Sequence, residues 1–250
     1  SHNKNKIKEL VRDYVHPETG ELINKDRLDV GGLGKARFIL KEGGTLGDLY
    51  TQSDLKRDDN GMVDIDPTGI VAIENNLPDI KLGSVFPKAN LAWSNHLSWK
   101  GISLSALFTA RIGGIVYSAT EAAMDQYGVS ERSALARDNG GVLVNNRTLV
   151  DAQNYYTTIG SESGLPQYYT YNATNVRLQE ASIGYLIPRK WLGNVCDIQV
   201  SVIGRNLWMI YNKAPFDPES VATTDNYYQG IDYFMLPSTR NIGFNVKINF

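Results

Sequence analysis

The acids Asp58-Asp59-Asn60-Gly61, followed by Asp64 and Asp66, come nearest in this sequence to a cation site. A calcium loop needs a fixed register closed by a Glu, and that Glu is missing here. The spacing fits an exposed type I turn better, with no more than weak Ca2+ binding among these acids. Asp217-Pro218-Glu219 offers two carboxylates, but glycoside hydrolysis needs its pair held across a cleft. A proline-spaced pair in a loop reads as a rigid turn. Ser53-Asp54-Leu55-Lys56 fits S-x-x-K without the S-D-N and K-T-G partners that would give it meaning. His2, His16 and His96 share no ligand spacing. Cys196 is the single thiol, so neither an internal disulfide nor a zinc site with two thiolates is available. No nucleophile, metal set or acid–base pair emerges, and the chain reads as a non-enzyme without a cofactor.

Recognition by contact is what remains. Tyr168, Tyr169, Tyr227, Tyr228, Tyr233 and Phe234 lie in segments without strand periodicity. Such rings stack on sugar faces or meet a partner protein. They also pack on one another where a long loop needs its own core, and both readings stay open. Lys and Arg number 25 against 27 Asp and Glu, a net charge of −2 that argues against nucleic acid. No run approaches the roughly 18 apolar residues of a membrane-crossing helix. A membrane β-barrel is untouched by that test, because alternating strands keep mean hydropathy low.

Period-two alternation marks five long segments that must position these loops. At the C-terminal end Ile242, Phe244, Val246, Ile248 and Phe250 alternate with Gly243, Asn245, Lys247 and Asn249. Ile198, Val200 and Val202 alternate with Gln199 and Ser201, and Arg205 continues that polar side toward Tyr211. Ile102, Leu104, Ala106, Phe108, Ala110 and Ile112 oppose Ser103, Ser105, Thr109 and Arg111. Leu91, Trp93, Leu97 and Trp99 oppose Asn90, Ser94, His96 and Ser98, and Lys100-Gly101 closes a tight hairpin to the next run. A fifth run covers 176–187, where Ile183, Tyr185 and Ile187 oppose Glu180, Ser182 and Gly184.

These runs are about twice the usual strand of 5–6 residues and match the 9–11 or so that cross a bilayer at a tilt. One side of each is hydrocarbon; the other is strongly polar, as a wet lumen would be. Arg111, Arg205, Gln199, Asn245 and Lys247 are therefore candidate lumen-lining residues. A soluble sandwich also alternates, but its connections are short. Here short links at Lys100-Gly101 and 188–197 contrast with long ones at about 41–88, 113–175 and 212–240. Structureless connections above about 12–15 residues are rare in compact soluble domains and regular on the outer side of membrane barrels. Trp99, Tyr185 and Trp191 fall near the short turns, and Tyr117, Trp208 and Tyr211 near the long ones, where interfacial girdles would lie. Asn5–Leu10, 35–41 and 44–51 offer two or three further strands. One helix-like stretch covers 119–137, and no internal repeat stands out. Ser1 opens without a signal-peptide pattern, so the chain reads as processed or as a piece of something longer.

Several motifs are specific. Gly204-Arg205-Asn206-Leu207-Trp208, Lys213-Ala214-Pro215-Phe216-Asp217-Pro218-Glu219, Gly230-Ile231-Asp232-Tyr233-Phe234 and Leu236-Pro237-Ser238-Thr239-Arg240 resemble the C-terminal end of SusC/RagA-type TonB-dependent transporters of the Bacteroidetes outer membrane. Ala110-Arg111-Ile112-Gly113-Gly114 and Ser182-Ile183-Gly184-Tyr185 extend the likeness upstream. The closing alternation of Phe244, Val246, Ile248 and Phe250 resembles the β-signal read by barrel-assembly machinery, a free strand able to add to a sheet edge.

The resemblance implies an all-β, antiparallel transmembrane β-barrel segment: roughly the last seven or eight strands of a 22-stranded barrel, with long extracellular loops carrying a short helix. It implies import of oligosaccharides or peptides, a SusD-like lipoprotein as lid, and energy from TonB–ExbB–ExbD through a plug and TonB box not represented in these residues. The competing expectation is a soluble β-rich module that binds carbohydrate through its loop tyrosines.

Overall fold

The computed structural model describes every residue except Asn194, Thr224, Asn226, Tyr227 and Phe250. In chain order the elements begin with β1 (Val11–Val15), β2 (Leu22–Lys25), β3 (Arg27–Leu33), β4 (Ala36–Lys41), β5 (Asp48–Thr51), β6 (Asp54–Leu55), β7 (Ile73–Glu74) and β8 (Ile80–Ser84). Next come β9 (Ala89–Trp99), β10 (Ile102–Ile112), β11 (Ile115–Ser118), α1 (Ala119–Gln126), α2 (Glu131–Asp138), β12 (Val142–Val144), β13 (Thr148–Val150) and α3 (Ala152–Gly160). β14 (Thr170–Asn172), β15 (Asn175–Ile187), β16 (Asp197–Asn212), β17 (Ile231–Asp232) and β18 (Asn241–Asn249) follow.

The five alternating segments are β9, β10, β15, β16 and β18. They form one antiparallel sheet in which each strand lies beside its neighbour in that series. Lys100 at φ +46° and Gly101 at φ +85° make the β9–β10 turn, with positive φ at both positions as a type I′ hairpin demands. Pairing carries each strand's alternation into rows across the sheet. Trp99, Ile102, Tyr185, Val200 and Val246 form one row, and Leu97, Leu104, Ile183, Val202 and Phe244 the next on the same side. Ser98, Ser103, Gly184, Ser201 and Asn245 form the row between them on the opposite side.

Bulges correct the phase where strict alternation would fail. Leu107 and Phe108 are consecutive on β10 but oppose Glu180 and Leu178, so Gln179 is an extra residue on β15. That insertion moves the apolar side of β15 from even to odd numbers. Val176 and Leu178 thereby share a side with Ile183 and Tyr185. On β16, Asn206 takes φ +51°. Leu207 folds over Gly204, where any Cβ would stand 2.5 Å from its Cδ2.

Among the described residues, the long strands contribute no buried apolar side chain. Phe38, Leu49, Val71, Val85, Leu165 and Tyr169 centre a core built wholly from the connecting segments. Segments 35–41 and 44–51, offered above as wall strands, instead supply β4 and β5 of a separate four-stranded sheet, β3-β4-β5-β8. Asn5–Leu10 forms no strand. The stretch 119–137 is two helices, because Gly128 at φ +69° ends the first and Ser130 caps the second by accepting the Ser133 N–H at 3.0 Å. A third helix, α3, was not foreseen; Asp151 caps it by accepting the Asn154 N–H at 3.0 Å.

Residues 54–74 hold a repeat that the sequence shows only in retrospect. Asp58-Asp59-Asn60-Gly61 and Asp66-Pro67-Thr68-Gly69 stand eight positions apart and close two hairpins, while β6–β7 forms a third. The N–H of Lys56 donates to Ala72 O, that of Ala72 to Asp64 O and that of Asp64 to Lys56 O, at 2.8–2.9 Å, closing a ring at the centre.

Candidate functional site

Two surfaces stand out: the faces of the five-stranded wall, and the cap at one of its ends. Every long connection leaves the wall beside Ala89, Ile112, Asn175, Asn212 and Asn241, and the short turns leave at the other end. From Ile102 to Ile112 the apolar side of β10 runs unbroken. At roughly 3.3 Å per residue that is about 33 Å along the strand. A strand tilted by about 40° would give a band about 25 Å tall, the height of the apolar belt on outer-membrane barrels. This side is open: Phe244 is 70 % exposed and Trp99 68 %, and Val246 and Ile248 are exposed as well. Phe250, the last residue of the expected β-signal, lies outside the described residues.

Arg111, Gln199, Arg205, Asn245 and Lys247 all fall on the polar side, as their spacing required. Gln199 opposes Lys247, and Asn245 opposes Ser201. Arg205 is tied across the strands to Glu180, Nε to Oε2 at 2.9 Å. Arg111 departs from the expectation of a solute-facing cation. Its guanidinium donates to Val85 O at 2.7 Å and so fastens the cap to the wall. Arg177 carries no chemical signal in the sequence, yet it is a heavily partnered cation on the wall. Its side chain is 5 % exposed and pairs with Asp217 at 2.8 Å and Glu219 at 3.2 Å. The rigid-turn reading of Asp217-Pro218-Glu219 holds for that reason. The Asp217 side chain is largely buried, which alone would raise its pKa, yet hydrogen bonds from Arg177, Ser238 and the Glu219 N–H hold it below the ordinary carboxylate value.

The acids read as a weak cation site serve their own turns. Asp58 Oδ1 accepts the N–H groups of Asn60 and Met62, each at 2.9 Å. Asp66 Oδ1 accepts those of Thr68 and Ile70, and Asp64 pairs with Lys56 at 2.7 Å. No group of three or more potential metal ligands converges among the described residues.

The loop aromatics divide. Tyr169 is 1 % exposed, its hydroxyl donates to Asp125 at 2.9 Å, and Arg132 lies over its ring. As a lid contact it is corrected to a core residue. Tyr168 is half-buried in the same core, and Tyr117, expected in a girdle, is buried too. Tyr227 lies outside the described residues. Tyr228, Tyr233 and Phe234 are exposed.

Tyr233 and Phe234 meet edge to face at 5.3 Å and, with Tyr127, rim a cavity of about 170 Å3 floored by Ala119 and Ala122. Phe234 holds φ +51°, rare for a bulky residue and costing about 1–3 kcal/mol. Its N–H donates to Thr120 Oγ1 at 2.7 Å. Relief of that strain offsets the lost ring contact, so Phe234→Gly is expected to stay within about 1 kcal/mol of wild-type stability. Chemical denaturation followed by tryptophan fluorescence measures this; a clear loss would show that the ring is a packing element.

No family model matches the chain. It is 25 % identical over 179 residues to the TonB-dependent receptor P3 of Formosa agariphila, covering 66 % of this chain and 17 % of that protein. Its fold superimposes on the RagAB peptide importer in the open-open state with a TM-score of 0.62 at 17 % identity, over 100 % of this chain and 26 % of that one. This chain resembles part of a TonB-dependent receptor. A second structure, of the RagAB peptide transporter, gives 0.57 over 93 % of this chain, and the closed-closed importer gives 0.54 over 86 %. The sequence likeness is thus to a TonB-dependent receptor and the fold likeness to the RagAB importer. The chain spans about a sixth to a quarter of the length of these proteins.

Proposed function

We propose that the chain is the C-terminal portion of the barrel of a SusC/RagA-like, TonB-dependent importer in the Gram-negative outer membrane. The observation that carries this is the solvent-open apolar face of five registered strands, set beneath connections that keep all the core to themselves. In water such a face is an aggregation hazard; against hydrocarbon it is the stable arrangement. That weighs against a soluble carbohydrate-binding module. The apolar rows face lipid, the polar rows line the solute path, and no bond is made or broken. A SusD-like lipoprotein closes on the cap, whose exposed Tyr127, Tyr233 and Phe234 supply rigid aromatic contacts. Cargo is an oligosaccharide or a peptide, and TonB–ExbB–ExbD acts through parts of the receptor outside these residues.

The test uses the full-length protein in its native membrane. It is expected in the outer-membrane fraction, extracted only by detergent and co-purifying with a lipoprotein. Tyr233→Ala should weaken lipoprotein retention by ~10-fold or more, as loss of an aromatic hot spot does, without changing barrel yield. Recovery as a monodisperse protein without detergent would overturn the reading.

A further inference from the structure

We infer that a second pocket in the cap, about 410 Å3 in volume and built around Arg57, binds a carboxylate group on a small ligand. The site stands apart from the aromatic rim and forms where three segments meet. Arg57 comes from the three-hairpin unit, Asn145 and Asn146 from the β12–β13 hairpin, and Tyr155 and Tyr168 from α3 and the turn after it. The junction is fixed in place: the Asn145 carboxamide accepts the Val63 N–H at 2.8 Å and donates to Val63 O at 2.9 Å. Asn145 and Asn146 both hold left-handed φ, +56° and +54°.

The chemistry of the lining selects the ligand. It holds one cation and no carboxylate, although the chain as a whole carries more acids than bases. The nearest acid in sequence, Asp58, already accepts two turn N–H groups. One Arg57 nitrogen, Nη1, donates to Gly61 O at 2.9 Å, and the guanidinium also meets the Tyr168 hydroxyl; its remaining N–H groups suit a planar two-oxygen partner. Burial pushes the Tyr155 phenol up to about 12, with Tyr168 and Tyr156 adding to it, so it remains an O–H donor at neutral pH. Leu55 and Leu143 give the pocket an apolar side. A fixed cation, a phenol donor and a hydrocarbon wall are the few convergent groups that orient a small acid.

A carboxylate has two natural sources at such a surface, an acidic sugar and the end of a peptide. The test is binding by the full-length protein in detergent, measured by titration calorimetry. The acid probes are trigalacturonate and trialanine; the neutral counterparts are the trigalacturonate methyl ester and trialanine amide. One acid is expected to bind ~10-fold or more tighter than its neutral counterpart, and which one does so names the source. Arg57→Gln should erase that preference. Tyr155→Phe, which keeps the ring and the packing, should weaken the acid a few-fold with thermal unfolding unchanged. Equal binding of acid and neutral forms, no acid binding at about 10 mM, or a preference that survives Arg57→Gln each overturns the proposal. None of these readouts depends on transport or on the lipoprotein.

Discussion

Ile183→Arg in the full-length protein, refolded into lipid vesicles, is expected to lose about 2–4 kcal/mol of stability, while Asn245→Arg loses less than about 1. Ile183 sits in the middle strand of the row Leu97, Leu104, Ile183, Val202 and Phe244. That row lies within the apolar band, where a guanidinium has no water and no partner to replace it. Asn245 stands one residue from Phe244 and Val246 but on the opposite side of the sheet, where it opposes Ser201 and shares the polar side with Lys247. The two sites belong to the same sheet, and both are exposed or nearly so in the isolated chain. A soluble protein would tolerate both changes about equally. Only the solvent that each side meets separates them. Urea titration in vesicles, with the folded fraction read from gel mobility, gives the two costs; equal costs would end the lipid-facing assignment.

Much of this was legible in the sequence because period two is a local signal. The five strands follow it, and their polar and apolar sides emerge where residue parity put them. What parity could not show are its own interruptions. Gln179 shifts the phase of β15, so Val176 and Leu178 read alone seem to belong to the polar side. Nothing in Gln179 itself announces a bulge; the partner strands impose it. The cap was harder still. Segments 35–41 and 44–51 carry strand-like residues, but whether such strands join a wall or a small sheet is decided by distant contacts. Tyr169 and Tyr233 are chemically alike, and only the packing of α1, α2 and Asp125 makes one core and leaves the other exposed. The repeated Asp-x-x-Gly at positions 58 and 66 is a readable signal for the three-hairpin unit, but the same acid-rich turn residues also resemble a cation loop, and only the backbone pairing separates the two.

The largest effect within the cap is expected at Arg177. Its guanidinium holds Asp217 and Glu219 and also contacts Asn175 Oδ1 at 3.2 Å, so one side chain ties the start of β15 to the segment that follows β16. Arg177→Met preserves the stem and removes the charge. It leaves Asp217, whose side chain is 10 % exposed, as a buried acid without its cation, a change that costs about 3–5 kcal/mol. The pH dependence gives the sign. In the wild type Asp217 is held below its unfolded value of 3.8. The pair's contribution is therefore complete at neutral pH and is lost only as pH falls through that depressed value. In Arg177→Met, burial is opposed only by the hydrogen bonds from Ser238 and the Glu219 N–H; the Asp217 pKa rises, and the folded state is expected to take up a proton more readily than the unfolded chain. The variant should then regain stability between pH 7 and pH 5, where the wild type is flat. Amide hydrogen exchange across 212–219 reports this local opening; equal protection of the variant at both pH values would show that Asp217 does not depend on Arg177 for its charge.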